Sequence, residues 1–572
     1  MKTLLHRFAG PLTLLWLALM LVLTLTPAKE MPRTPEWKFL SFDTAAHAGV
    51  FAVLAGLAWL WARPRWRHPA SLVLLGCIAF GALIEVLQYV MQVGRHAEWT
   101  DLLGDTLGAA LGLAVASLAG RGQPQPLLAV LLLLLPGRTH AQAAGPDLAR
   151  ARRTIEVLAA APMHGRGYVQ QGEHLAAAYL RGRLRQLGLA PLAPDYTQPF
   201  TLDVNTFPGK LKLALGDQNL VPGRDFIAAP ESAPQPLARQ YRLVPLDTLV
   251  FSDTATVRRY TTGLRSSVPG IKPTPWVTGY LPNAWVLRAR DEARLHTLPP
   301  ALQQTFAQGG PRLILCPKLT ASLADTEAGQ VRINILASRW ASLASPGEAT
   351  IQLDAKLVHN YQTQNLAAIV KGATQPDSFL VVSAHYDHLG MMGRQTYFPG
   401  ANDNASGVAL LLELAAHYAR PENRPTCSVV FLLFGAEEAG LVGSSYFVRH
   451  PLVPLASINF LLNLDLLGTG EEGATVVNGR VHEAAFARLT ALNDTHHYLP
   501  RLTARGRAAN SDHFPFSEVG VPAFFLYTRG GSLAYHDVHD RPTALSLAGF
   551  AGAYGLARDF LDELGARRLA TK

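Results

Sequence analysis

Cysteine is scarce in this chain. Its 572 residues include three, Cys77, Cys316 and Cys427. They lie far apart and none forms a C-x-x-C pair, so no disulfide framework is indicated and a Cys316–Cys427 bond is not expected. Charge is scarce too. Asp, Glu, Lys and Arg make up 16% of the residues against 49% hydrophobic, an apolar balance for a soluble protein. The net charge is +9. No cluster interleaves basic with aromatic residues, however, so nucleic acid is not an indicated partner. The G-x-S-x-G elbow of serine hydrolases is also missing. Gly443–Phe447 reads GSSYF and lacks the turn that would expose a nucleophile.

What the chain does have is concentrated between Phe379 and Gly440. An apolar, β-branched run ends in His385 and Asp387, and a second ends in Glu437 and Glu438. Between them Asp403 sits in a Gly/Asn-rich loop that precedes the helical-looking SGVALLLELAAHYA. Further on, SINFLLNLD runs into Asp465, and VPAFFLY leads to a loop carrying His536 and Asp540. Continuous Val/Leu/Phe runs mark parallel strands buried on both faces. Open α/β sheets bind ligands outside the carboxyl ends of such strands. Four strands would therefore bring His385, Glu438, Asp465 and His536 to one rim, with Asp403 from a loop. Two histidines and three carboxylates suit a pair of zinc ions, each with one His and one acid and sharing one carboxylate.

These residues resemble the family of co-catalytic zinc exopeptidases that includes bacterial leucyl aminopeptidase and aminopeptidase Y. That family's pattern is His-x-Asp, Gly-Ala-x-Asp-Asn/Asp-x-Ser-Gly, Glu-Glu, Asn-x-Asp and Tyr-His. Here it reads His385-Tyr386-Asp387, GANDNASG from Gly400 to Gly407, Glu437-Glu438, Asn463-Leu464-Asp465 and Tyr535-His536. All five metal positions match in order, which is far more specific than a lone His-x-Asp. The resemblance implies two Zn2+ ions, one on His385 and Asp465, the other on His536 and Glu438, with Asp403 bridging. It implies Glu437 as general base toward a water activated between the metals. Asp387 is then the group that orients His385, and the Asp403–Asn404 peptide bond is strained. The reaction implied is removal of N-terminal residues from peptides. Carboxypeptidases and glutaminyl cyclases share the fold and stay open as alternatives, as does a non-catalytic, receptor-like binding domain.

Other polar residues have plainer readings. His388 reads as a solvated loop histidine, His417 as one on a polar helix face, and His539 as a neighbour of the ligand His536. Ser511-Asp512-His513 resembles a family segment near the site. That makes Asp512 and His513 candidates for the substrate pocket, with Tyr527 and Arg529. Arg529 would either grip a substrate carboxylate or be a surface arginine. Arg166 reads as structural.

The first 120 residues are of another kind. Leu12–Leu25, Ala45–Ala62, Ala70–Met91 and Leu102–Ala119 are each, with their flanks, about long enough to cross ~30 Å of hydrocarbon. Lys2, His6 and Arg7 precede the first. Arg63, Arg65, Arg67 and His68 separate the second and third, and Arg121 follows the fourth. The positive-inside rule puts these ends in the cytoplasm. The polar series Asp43, His47, Glu85, Gln88, Arg95, Asp101 and Asp105 resembles the VanZ-like membrane family, named for a teicoplanin-resistance protein. That family commonly has Asn where Asp105 stands. A Pro-rich stretch, the apolar run Leu127–Leu135 and the small-residue site THAQA then make 121–145 a linker with a signal-like or fifth membrane segment. Cleavage near 141–144 is left open.

The expected architecture is multi-domain. It has an N-terminal α-helical membrane bundle (1–120), the linker (121–145), and an α/β exopeptidase domain of mixed, mostly parallel sheet flanked by helices (146–218 and 356–572). A mainly-β domain is inserted at 219–355, where members of the peptidase family this chain resembles often carry a protease-associated domain. The expected partners are peptide substrates and, through the spans, membrane lipid, with the peptidase on the extracytoplasmic side.

Overall fold

The computed structural model describes residues 2–25, 42–66, 68–91, 99–119, 145–257, 281–343 and 346–566. The expectations for the 121–144 segment, its cleavage, the loop 27–41 and Arg95 lie outside the described residues. So do the side chains of Asp43, His47, Glu85, Gln88 and Asp101. The chain forms two compact units, 1–144 and 145–572.

Among its described residues the first unit has four helices, α1 (Lys2–Leu25), α2 (Phe42–Ala62), α3 (Pro69–Met91) and α4 (Trp99–Ala119). Phe51, Leu54, Trp59, Ile84 and Leu113 pack at its centre, where Asp105 is also buried. Gly108 and Gly112 of α4 lie against the backbone carbonyls of Ala48 and Ala52 of α2. A side chain at either glycine would meet that backbone, so the small residues set the closeness of the two helices. Leu12, Leu14, Leu15, Leu19, Leu72, Leu75, Leu83, Leu107 and Leu111 face outward. Among the described residues no helix is long and apolar enough to cross a membrane. The described side chains cover part of each helix.

The second unit opens with α5 (Leu148–Leu158), capped by Asp147, whose side chain accepts from the Arg150 N–H at 2.9 Å. Helix α6 (Gly172–Gln186) follows. The main sheet contains β1 (Thr197–Thr206), β2 (Lys356–Val370), β3 (Gln375–His385), β4 (Cys427–Phe434), β5 (Ile458–Leu464), β6 (Gly473–Val477) and β7 (Ala523–Arg529). Its central order is β2-β4-β3-β5-β7-β6. β4, β3, β5 and β7 run parallel, while β2 and β6 pair antiparallel to β4 and β7. Every residue of β4 is buried, the outcome expected of a run with no polar alternation. Helix α7 (Gly407–Tyr418) is buried along its whole length. Helix α8 (Phe550–Ala566) closes the unit.

A second, eight-stranded sheet is built from residues 211–353. It begins at Leu211–Leu215, ahead of residue 219, because that alternating strand pairs with Glu348–Leu353. Four of its strands are parallel neighbours. Parallel pairs need crossovers, and the short helix Pro300–Gln308 lies in one of them. All three cysteines are free.

Candidate metal centre

The four parallel strands end on one rim. His385 is the last residue of β3, and Asp465 directly follows β5. Glu437 and Glu438 follow β4, and the loop after β7 carries His536. Three turns here use left-handed backbone at residues with side chains: Ala436 (φ 57°), Leu466 (φ 57°) and His536 (φ 51°). Such positions cluster where a side chain must be aimed.

Asp403 sits at the centre. Its Oδ1 is 3.2 Å from His385 Nε2 and its Oδ2 is 3.0 Å from His536 Nε2. Each histidine has a second acid: Asp465 Oδ1 is 3.5 Å from His385 Nε2, and Glu438 Oε2 is 3.2 Å from His536 Nε2. All five residues singled out in the sequence are thus brought together as two half-sites that share Asp403. The Asp403–Asn404 peptide bond is cis.

The surrounding residues fix this geometry. The N–H groups of Asn402 and Asp403 donate to Asp540 at 2.8 and 3.0 Å. Asp387 accepts from the N–H groups of Glu437 and Glu438 at 3.1 and 3.4 Å, and its carbonyl lies 3.2 Å from His385 Nδ1. A relay from Ser383 through Asn463 to Ser511 ends with Ser511 donating to Asp465 Oδ2 at 2.9 Å. Arg166 is fully buried. Its guanidinium donates to the carbonyls of Leu158, Tyr386, Pro399, Gly400 and Asp403 at 2.8–3.0 Å, which uses all five of its N–H groups. Burial lowers it to about 10, against the pull of Asp403 and Asp540, so it stays charged at neutral pH. The structural reading of Arg166 agrees with this arrangement.

His388 requires a correction. It is fully buried, not solvated, with Nδ1 2.6 Å from Glu438 Oε1. It forms a potential ligand group with Asp403 and Glu438. By occupying Oε1 it leaves Glu438 Oε2 facing His536. The His388 N–H donates to the Arg166 carbonyl at 3.1 Å, a contact across 222 residues that no local pattern announces. His417 is also buried rather than on a polar face. His539 is exposed, and its N–H donates to Asp537.

The pocket candidates divide. Asp512 and His513 are fully buried. Burial, with Asp387 and Asp465 nearby, pushes the Asp512 carboxyl up to about 7. Burial also pushes the His513 imidazole down to about 4, beside the ring of Phe525. Tyr527 and Arg529 instead face charged partners at the sheet margin, Arg505 and Glu472, both at 3.4 Å.

The electrostatics call for cations. Asp387, Asp403, Asp465, Asp512 and Asp540 are all buried, with Glu437 and Glu438 beside them and Arg166 as the buried cation. Gathering so many carboxylates out of water is costly unless they are paired or coordinate metal. Burial, with Asp512 and Glu438 adding to it against His385, holds the Glu437 carboxyl well above its ordinary range. Burial also opposes ionisation of Asp403, but hydrogen bonds from His385 and His536 hold it well below the usual range. Asp465 Oδ1 and His388 Nε2 are buried without a hydrogen-bond partner. The donor set fits zinc.

Residues 365–560 match the model of peptidase family M28. The chain carries an M28 peptidase domain. Residues 11–120 match VanZ/LLP1. The aminopeptidase YwaD of Bacillus subtilis (strain 168) is 32% identical over 214 residues, 36% of this chain and 43% of that protein. Leupeptin-inactivating enzyme 1 of Streptomyces exfoliatus is 33% identical over 155 residues, 27% of this chain and 33% of that protein. The chain thus spans less than half the length of these curated relatives. The solved structure of BSAP, a zinc aminopeptidase from Bacillus subtilis, superposes with a TM-score of 0.52 at 20% identity, covering 74% of this chain and 96% of that one. A peptidase M28 precursor from Shewanella amazonensis SB2B gives 0.53 at 15%, covering 74% and 95%. At these identities the two structures establish a shared fold. That fold extends well beyond the segment matched to the M28 model.

Proposed function

We propose that the chain is a membrane-anchored, zinc-dependent exopeptidase that removes N-terminal residues from peptides. The observation that carries this reading is Asp403, whose two oxygens face different histidines at 3.2 and 3.0 Å, each backed by its own acid. Two zinc ions held there, one by His385 and Asp465, the other by His536 and Glu438, would supply Lewis acidity to the scissile carbonyl and acidify a water.

The rest of the chemistry belongs to the chain. Glu437 stands next to a proposed ligand, and its main-chain N–H is tied to Asp387. Its carboxyl would take a proton from water and return it to the leaving amine. Asp387 holds the Glu437–Glu438 turn and, through its carbonyl, the ring of His385. Buried Asp512 lies beside Glu437 and would shape the wall there.

The aminopeptidase choice is supported by the names of YwaD and BSAP. Membrane anchoring is supported by the outward-facing leucines of α1, α3 and α4 and by the tight glycine seam between α2 and α4. The basic residues between and beside the helices favour an M28 domain outside the cytoplasm. The test is a substrate panel for the full chain: aminoacyl-p-nitroanilides, their N-acetyl forms and N-blocked peptides with a free carboxyl end. Turnover of free-amine substrates alone is expected. Release of residues from the carboxyl end would replace this reading with a carboxypeptidase.

A further inference from the structure

We infer that the inserted sheet is a working part of the metal centre: its loop, residues 317–331, holds His536 in place through Lys318 and the main chain of Ala321. The loop leaves the strand Arg312–Cys316 and returns at Arg332–Leu336. On the way it grips the His536 loop four times. The Ala321 N–H donates to the His536 carbonyl at 2.9 Å. His536 Nδ1 lies 3.0 Å from the Ala321 carbonyl. Lys318 Nζ donates to the Leu533 carbonyl at 3.1 Å and lies 3.2 Å from Asp537 Oδ2.

These contacts decide which nitrogen of His536 is free. A carbonyl can only accept, so Nδ1 carries a hydrogen, and Nε2, which faces Asp403 and Glu438, is the nitrogen that would give up its own hydrogen to hold a metal. The left-handed backbone at His536 (φ 51°) is costly for a residue with a side chain and needs an outside hold. The loop can supply one because it is itself anchored. Leu319 and Ala321 are buried in the core cluster that includes Leu389 and Phe398, and the Asn205 N–H donates to the Ala324 carbonyl at 2.8 Å. The two histidines are thus oriented from different places: His385 by Asp387, just beyond its own strand, and His536 by the insert. Lys318 touches no reacting atom and is a positioning residue.

This inference rests on the two-metal reading above. The test uses the full chain, stripped of metal and titrated in zinc buffers, with Co2+ absorption as a second readout. Wild type is expected to hold two zinc ions. In K318A one ion should bind as in wild type and the other about 10-fold more weakly, with a changed Co2+ spectrum for that ion only. K318R keeps a donor for Leu533 and a cation for Asp537 and should restore both. A321P removes the N–H that holds the His536 carbonyl. It should lose the second ion while the first, still bound, reports an intact fold. A wild-type titration in either K318A or A321P overturns the inference. If wild type holds fewer than two ions and H536A changes nothing, the two-metal reading itself fails and this inference with it.

Discussion

His388 shows how one side chain can set the denticity of another. Its Nδ1 occupies Glu438 Oε1 at 2.6 Å, so only Oε2 is offered to the His536 half-site. His388→Ala should free Glu438 to rotate and weaken zinc at that half-site about 10-fold, read by competition with a chelator, while the His385 half-site is unchanged. Equal loss at both half-sites would mean that His388 acts on the whole loop instead. Arg166 makes the complementary case for stability. Its five N–H groups meet five carbonyls around Asp403, and a lysine has only three donors on a flexible stem. Arg166→Lys should cost about 3 kcal/mol, because buried carbonyls lose their partners. A shift in the urea midpoint measures it, and a loss within ~0.5 kcal/mol would contradict this account.

Helix α7 carries the prediction that belongs to an element. His417 lies in its last turn, buried, and its Nδ1 is 3.2 Å from the Asn423 amide nitrogen. Burial, with the nearby Arg558 and Arg420, lowers it from 6.5 to about 4. The unfolded chain therefore takes up this proton below its ordinary value while the folded chain refuses it until about pH 4. Stability attributable to His417 is complete above pH 6.5 and is lost as the pH falls from 6.5 to 4. Between pH 7 and pH 5 the loss should be about 2 kcal/mol. His417→Gln, which still offers an acceptor to Asn423, should flatten the difference in denaturation midpoint between pH 7 and pH 5. A variant with an unchanged acid slope would contradict it.

The same helix marks the limit of what the sequence shows. The strands were legible because β3, β4, β5 and β7 are unbroken apolar runs, a pattern set by burial on both faces. The five ligand candidates were legible because each sits at a strand end or in a glycine loop. His417 reads as lying on a polar helix face, with Glu413 one turn before it on α7. In the fold Arg150 of α5 binds Glu413 at 2.6 Å, and Tyr554 of α8 lies edge-on to His417. His388 was hidden for the same reason. Its N–H meets the Arg166 carbonyl, and the Gly390 N–H meets the Gly165 carbonyl, both far away in the chain. Nor does any motif in residues 317–331 betray their hold on His536.

At the scale of the molecule, the chain forms two compact units, 1–144 and 145–572, and the proposal places anchoring in the first and hydrolysis in the second. The full chain should remain with membranes after alkaline carbonate extraction, whereas residues 145–572 alone should stay in the soluble fraction. Release of the full chain by carbonate would contradict anchoring through α1–α4. The central claim is that two half-sites sharing Asp403 serve one base, Glu437. The most direct measurement counts zinc per chain and hydrolysis of an aminoacyl-p-nitroanilide side by side in wild type and Glu437→Gln. The account predicts two zinc ions in both proteins, with kcat lower in the variant by about 10²–10⁴-fold and KM little changed. Two zinc ions with undiminished turnover in Glu437→Gln would contradict it.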